Sequence, residues 1–149
     1  MASAKGEIYA GLGEHGCAII NEDGEYAHFW DPILEGKQVY RFSRHKKADV
    51  YAMNIELDLQ GCGSFDLILP QSEVISGSNQ SARVQLRLPG MHQMSNALAA
   101  ATCCYAVGID VDSIVKGLSR FEGVHGRMSM LLGKNNACVI DDTYNANLR

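Results

Sequence analysis

The segment Val139-Ile140-Asp141-Asp142-Thr143-Tyr144-Asn145-Ala146-Asn147 passes from apolar side chains to two carboxylates and then to small and amide side chains. This order is typical of a buried strand that ends and presents polar groups at one edge of a sheet. In open α/β sheets, ligands bind at that edge. The same composition also fits an ordinary strand-to-turn junction, because Asp and Asn are common turn residues.

Hydrophobic periodicity predicts the elements upstream of this segment. Apolar residues recur at spacings of three and four in 3–12, 25–35 and 92–106, which favours helices. A further helix is expected after Asp110, a plausible N-cap, with a buried face of Val111, Ile114, Val115, Leu118 and Phe121. The short apolar run at 17–20 suits a buried strand of a parallel sheet, residues 38–42 are predicted to form a further strand, and 128–132 and 137–141 suit two more.

Between Val50 and Leu88 the period changes to two, which predicts antiparallel strands with one face in water. The apolar face of these strands is expected to contain Tyr51, Met53, Ile55, Leu57 and Leu59, then Phe65, Leu67 and Leu69, then Val84, Leu86 and Leu88. We therefore predict an α/β fold, with a small antiparallel sheet at about 49–88 appended to the parallel part.

Composition excludes several functional classes. The net charge is −4 and the pI is about 5.7, which argues against a nucleic-acid partner. The basic cluster at 41–47 is interpreted as a solvated loop. The five cysteines have no metal-binding spacing and indicate reduced, cytosolic usage, and no apolar run is long enough for membrane insertion. The G-x-G-x-x-G match at 11–16 follows a predicted helix instead of a strand, so a dinucleotide site is rejected.

Three more motifs accompany the C-terminal segment. The first is Ala4-Lys5-Gly6-Glu7-Ile8, near the start of the chain. The second runs from Leu88-Pro89-Gly90-Met91-His92-Gln93-Met94-Ser95-Asn96 into an alanine-rich helix, and the third is Gly126-Arg127. In this order, and from about residue 3 to residue 147, the motifs resemble the Mur ligase family.

This resemblance implies an ATP-dependent amide ligase of peptidoglycan biosynthesis that acts in the cytoplasm. The Asp141–Asn147 run favours the branch that adds D-alanyl-D-alanine to UDP-N-acetylmuramoyl-tripeptide through an acyl phosphate. Residues 1–136 would be part of the central ATP-binding domain, and 137–149 the start of the C-terminal ligase domain. The alternatives are a ligase for a different amino acid and a non-catalytic nucleotide-binding or assembly module.

The resemblance also implies site residues. Lys5 matches a carbamylated lysine that helps to hold Mg²⁺, and Arg127 matches an arginine that contacts the terminal phosphate of ATP. His92, Gln93 and Asn96 would bind the adenine end of ATP, and Asp142 would accept hydrogen bonds from the ribose. Gln93 replaces the family's asparagine, and Leu148 replaces its usual proline.

No G-x-x-x-x-G-K-[ST] phosphate loop is present in the sequence. In the family this loop precedes the position of Lys5. We therefore expect the 149 residues to be a segment of a longer enzyme and to be inactive as an isolated chain.

Overall fold

A computed structural model describes residues 2–71, 81–124, 129–141 and 143. Its helices are α1 (Ala2–Ala10), α2 (Asp31–Leu34), α3 (Met91–Ala106) and α4 (Val111–Arg120), and a 3₁₀ turn spans Lys134–Asn136. Its strands are β1 (Cys17–Asn21), β2 (Gln38–Ser43), β3 (Val50–Leu57), β4 (Cys62–Ile68), β5 (Ser81–Pro89), β6 (Ser129–Leu132) and β7 (Cys138–Asp141). None of the described helices is both long enough and apolar enough to cross a lipid bilayer.

The sheet confirms the predicted α/β class, and it contains both the parallel strands and the antiparallel strands. Its strand order is β1-β2-β3-β4-β5, so the antiparallel strands continue the parallel ones within one sheet. β1, β2 and β3 are parallel, whereas β3–β4 and β4–β5 are antiparallel. The junction between β2 and β3 consists of two residue pairs, Phe42 with Val50 and Ser43 with Tyr51. The pairing of β6 with β7 confirms the two strands predicted near the C-terminus.

One hydrophobic core covers one face of the sheet, and a smaller core covers the opposite face at β1 and β2. The larger core lies under α3 and α4 and contains the fully buried Phe65, Leu67, Val84 and Leu98. Helix α3 packs across all five strands of this sheet. Ala18 and Ile20 of β1 point to the opposite face, where they pack with Leu34 and with residues of α1.

The helix predicted for residues 25–35 is wrong for most of its length. Residues 22–30 form turns, and only Asp31–Leu34 is helical. The backbone N–H groups of Ala27, Phe29 and Asp31 each donate to the carbonyl three residues earlier. Pro32 explains the late start, because its ring is tolerated in the first turn of a helix but clashes in the interior.

The predicted apolar face of β3 is also wrong at most of its positions: Val50, Ala52 and Ile55 contact the core, and of these the prediction named Ile55. Met53 is 47% exposed, Leu57 is 51% exposed and Leu59, just beyond the strand, is fully exposed. A bulge between Met53 and Glu56 breaks the alternation, and Asn54 within it has a φ of +48°. Alternation from the buried Val50 turns Met53 to solvent before the bulge, and the extra residue then brings Ile55 to the core and leaves Leu57 exposed.

Arg83 holds the bulge in place from the solvent face of the sheet. Its guanidinium donates to the Asn54 carbonyl at 2.7 Å, to Glu56 Oε2 at 2.5 Å and to Ser64 Oγ at 2.8 Å. It also lies 3.3 Å from Asp66 Oδ1. One arginine on β5 therefore joins β3 and β4 where their regular ladder is interrupted.

Candidate functional site

A cavity of about 260 Å³ lies between β5, α3 and α4. Drug-sized ligands occupy pockets of roughly 300–1,000 Å³, so this space suits one part of a ligand, such as a ring system. Its wall is mainly apolar, with a few polar groups; the lining residues are Leu86, Arg87, Leu88, Gln93, Asn96, Ala97, Ala100, Gly117, Leu118 and Phe121.

Two predicted site residues, Gln93 and Asn96, lie together on this wall. They follow the start of α3 by less than two turns, and the three-residue spacing puts both amides on one face of the helix. Asn96 Nδ2 donates to Gln93 Oε1 at 3.2 Å. Asn96 is exposed and Gln93 half-buried, so both amides remain accessible from the cavity.

The amide pair presents one hydrogen-bond donor and one acceptor to a ligand. An amide has an NH₂ group and a carbonyl oxygen, and the mutual bond uses one of each. Neither the Gln93 NH₂ group nor the Asn96 carbonyl oxygen has a hydrogen-bond partner among the described residues, and turning both amides over would leave the same two kinds of group. The pair therefore complements a ring edge that carries a donor beside an acceptor.

His92 lies beside the cavity and not within its lining. Its ring packs against Gly90, where an added Cβ would come within 2.6 Å of the ring carbon Cε1. Gly90 has a φ of +108° and donates its N–H to the Gly61 carbonyl at 2.9 Å. A glycine is required here both by the backbone conformation and by the close ring, and the tight junction fixes where α3 begins.

The other predicted site residues are not brought to this cavity in the part of the chain that the structure describes. Lys5 is exposed on α1, which packs on the sheet face opposite to α3. Arg127 and Asp142 lie outside the described residues, as do Tyr144, Asn145 and Asn147 of the C-terminal motif. Among the described residues, no group of three or more His, Cys, Asp and Glu side chains could hold a metal ion.

Sequence reasoning missed the apolar half of the cavity. Phe121 was expected on the buried face of α4, but it is 51% exposed and lines the cavity from the end of that helix. Arg87, an exposed residue of β5, also lines this space and forms an ion pair with Glu122. No short sequence motif marks either residue, because the cavity depends on how α4 packs against β5.

The basic cluster at 41–47 is more structured than predicted. Arg41 belongs to β2, where its guanidinium donates to Glu22 Oε2 at 2.8 Å and forms an ion pair with Asp31. Arg44 donates to the Met91 carbonyl at 2.6 Å and so contacts the first residue of α3. The interpretation as a solvated loop holds for the exposed residues 45–47 but is wrong for Arg41.

Asp23 follows β1 and forms hydrogen bonds to the end of β2 and to Arg44, which contacts the start of α3. It accepts hydrogen bonds from Ser43 Oγ at 2.5 Å and from the Arg44 N–H at 2.7 Å. Burial raises the pKa of Asp23, but these hydrogen bonds outweigh burial and leave its pKa below the ordinary value of 3.8. Asp23 therefore supports Arg44, which in turn contacts α3.

We expect Asp23→Asn to lower the free energy of unfolding by about 1–2 kcal/mol at pH 7, because charge-assisted hydrogen bonds are lost. A carboxylate whose pKa is lowered by folding stabilises the fold above its unfolded-state pKa, and this contribution disappears as the pH falls through the folded-state pKa. Urea unfolding of the parent chain and the variant, from pH 7 down to pH 3, measures both effects. The difference between them should shrink below about pH 4.

Glu25→Gln is the matched control, because Glu25 is exposed in the same loop. It should leave the unfolding curve unchanged across this range. A constant difference between parent and Asp23→Asn at every pH would contradict the assigned role of the Asp23 charge.

Known proteins resemble the chain in both sequence and fold. Residues 1–104 match the family described as the Mur ligase middle domain. The chain is 38% identical to the UDP-N-acetylmuramoyl-tripeptide--D-alanyl-D-alanine ligase of Escherichia coli strain K12, over 99% of this chain and 31% of that protein. It is 40% identical to the UDP-N-acetylmuramate--L-alanine ligase of Clostridium tetani, over 64% of this chain and 20% of that protein.

Among solved structures, the chain matches a crystal structure of MurF from Acinetobacter baumannii with a TM-score of 0.84 and 34% sequence identity. The match covers 98% of this chain and 30% of that one. The chain thus spans about 31% of the length of the Escherichia coli relative and a similar share of the Acinetobacter one.

Proposed function

The chain belongs to the Mur ligase family, and from this premise we propose that it is a segment of the ATP-dependent ligase that adds D-alanyl-D-alanine to UDP-N-acetylmuramoyl-tripeptide. The extent of similarity supports this branch. The relative named for the D-alanyl-D-alanine reaction aligns over 99% of the chain, whereas the relative named for L-alanine aligns over 64%. Because the L-alanine ligase also aligns over 64% of the chain, a ligase for another amino acid is the alternative function.

Within this proposal, the α3–α4 cavity receives the adenine base of ATP. The observation that carries the assignment is the hydrogen-bonded pair of Gln93 and Asn96 on an otherwise mainly apolar wall. Adenine has an amino donor at position 6 beside ring-nitrogen acceptors, which suits one free carbonyl oxygen and one free NH₂ group. The assignment takes the edge formed by position 6 and ring nitrogen N7: adenine has a donor beside an acceptor there, whereas guanine has two acceptors, so its carbonyl would face the free carbonyl oxygen of the pair.

The remaining contacts to ATP are proposed from the family resemblance. Arg127 would contact the terminal phosphate, where a planar guanidinium binds two oxygens at once. Asp142 would accept hydrogen bonds from the ribose hydroxyls, and the residues from 137 onward would begin the C-terminal ligase domain. When bound, ATP supplies the phosphoryl group that activates a carboxylate for attack by an amine.

We further propose that Lys5 is carbamylated in the parent enzyme. The lysine is exposed on α1, so dissolved carbon dioxide can reach its amine. Among the described residues, no group of three or more His, Cys, Asp and Glu side chains could hold a metal ion beside Lys5. Intact mass in bicarbonate buffer, before and after acid treatment, tests the modification: a mass that acid leaves unchanged would count against it, and Lys5→Arg is the control.

The base assignment predicts selective binding of adenosine. Titrating the ¹⁵N-labelled chain with adenosine should shift the side-chain NH₂ signals of Gln93 and Asn96, and guanosine should bind at least tenfold more weakly. That ratio is about 1.4 kcal/mol, within the roughly 1–3 kcal/mol of a good two-point base contact. Uncharged nucleosides are used because they report on the base alone.

Asn96→Ala should weaken adenosine binding by at least tenfold without unfolding the chain, since Asn96 is exposed. Gln85→Ala is the matched control, because Gln85 is an exposed amide on β5 that points away from the core residues Val84 and Leu86. Equal binding of adenosine and guanosine, or unchanged binding by Asn96→Ala, would disprove the base assignment.

A further inference from the structure

Helix α4 contains a glycine where helix stability favours almost any other residue. Gly117 is the seventh of the ten residues of α4. Glycine in a helix interior costs about 0.5–1 kcal/mol relative to alanine, because it loses more backbone freedom on folding. A residue that carries such a cost needs a local reason.

The usual structural reasons for a helical glycine are absent at Gly117. An added Cβ would meet no atom of the described residues within 4 Å, so none of the described elements requires close approach. Gly117 does not have the positive φ that favours glycine in turns, unlike Gly108 and Gly123 on either side of α4. In contrast, a Cβ on Gly6 of α1 would lie 2.6 Å from the ring of Trp30.

Gly117 is exposed, and one side of it borders the cavity. Gly117 lines it together with Leu118 and with Phe121, which is four residues further along and hence on the same side of the helix. Across the cavity lie Gln93 and Asn96 on α3. A side chain at position 117 would therefore stand on the cavity wall that Gly117 shares with Phe121 and the amide pair.

We propose that Gly117 is a specificity-determining residue of this cavity, because its missing side chain leaves the space that a flat aromatic base occupies. This inference rests on the proposed function of the cavity and adds a second determinant of what it admits. The amide pair selects the ring edge, whereas Gly117 sets the depth available to the ring. Glycine at this position thus lowers the stability of α4 and leaves the cavity deep enough for the ring.

Stability and binding are consequently expected to move in opposite directions. Gly117→Ala should raise the midpoint of thermal unfolding by about 1–4 °C, since the helix gains a better residue and no clash with a described residue arises. The same variant should bind adenosine several-fold more weakly. Gly117→Leu should fill the cavity with apolar atoms, remain at least as stable as the parent chain and lose adenosine binding by tenfold or more.

Lys116→Leu is the matched control. It introduces the same side chain on the same helix, but Lys116 is exposed and does not line the cavity. It should bind adenosine like the parent chain. The probe is adenosine, followed in ¹⁵N spectra, and thermal unfolding is recorded by far-ultraviolet circular dichroism for all four proteins.

The outcomes separate this inference from the proposed function. If the parent chain binds no adenosine, the base assignment fails and Gly117 has no such role. If the parent chain and Gly117→Leu bind equally, the base assignment stands and the role of Gly117 is disproved. A lower unfolding midpoint for Gly117→Ala would also overturn the inference, because it would show that the glycine serves packing.

Discussion

Phe65→Ala is expected to lower the free energy of unfolding by about 3–5 kcal/mol, the cost of removing a large aromatic side chain from a closed core. Phe65 is fully buried in the centre strand of the antiparallel part, between the side chains that β3 and β5 send to the same core. Small domains have only about 5–15 kcal/mol of total stability, so the variant should be near the limit of folding. Urea unfolding followed by circular dichroism measures the change.

Phe121→Ala provides the comparison within the same residue type. Its ring is 51% exposed, so its loss should change stability by less than about 1 kcal/mol. Adenosine binding should nevertheless weaken, because Phe121 lines the proposed base cavity. Similar destabilisation by Phe65→Ala and Phe121→Ala would show that Phe121 belongs to the core, which would contradict its 51% exposure.

Gly6→Ala should destabilise the chain by about 1–3 kcal/mol, although alanine is the better helix former. The added Cβ would lie 2.6 Å from Trp30 Cδ1 and 2.8 Å from Trp30 Nε1. The indole cannot easily retreat, because its N–H donates to the Ala2 carbonyl at 3.1 Å and its ring packs edge-on against Tyr9. Helix α1, which carries Lys5, must therefore move away from α2.

Gly117→Ala, made in parallel, gives the opposite sign in the same unfolding experiment, since its Cβ meets no atom within 4 Å. Trp30 fluorescence reports where the Gly6 variant is disturbed, as Trp30 is the single tryptophan of the sequence. A stabilised Gly6→Ala with unchanged fluorescence would contradict the close packing of α1 on α2.

The sequence predicted most of the fold because the pattern of each long element was unambiguous. The alternation at Val84, Leu86 and Leu88 places β5 correctly, with all three residues buried. Asp110 does cap α4, where its side chain accepts from the Ser113 N–H at 2.9 Å. Prediction failed where one residue interrupts a period, at the bulge after Met53 and at Pro32.

The candidate site was predictable only in its polar part. Gln93 and Asn96 stand in a recognisable motif, and a three-residue helical spacing is enough to place them together. The apolar wall depends on the packing of α4 against β5, which residues close in sequence do not determine. Phe121 shows the limit, because periodicity cannot distinguish a ring that completes a core from one that lines a cavity.

The two-pair junction of β2 and β3 has a consequence for how the sheet opens. Only Phe42–Val50 and Ser43–Tyr51 join the parallel strands to the antiparallel ones, so the backbone ladder alone would let the two parts separate at little cost. Helix α3 spans this seam and packs on strands from both sides of it. We therefore expect the strands at this junction to exchange their amide hydrogens only after α3 has separated from the sheet, and native-state hydrogen exchange measures that order. Helix α3 carries Gln93 and Asn96, and we expect the same helix to make the two parts of the sheet unfold as one cooperative unit.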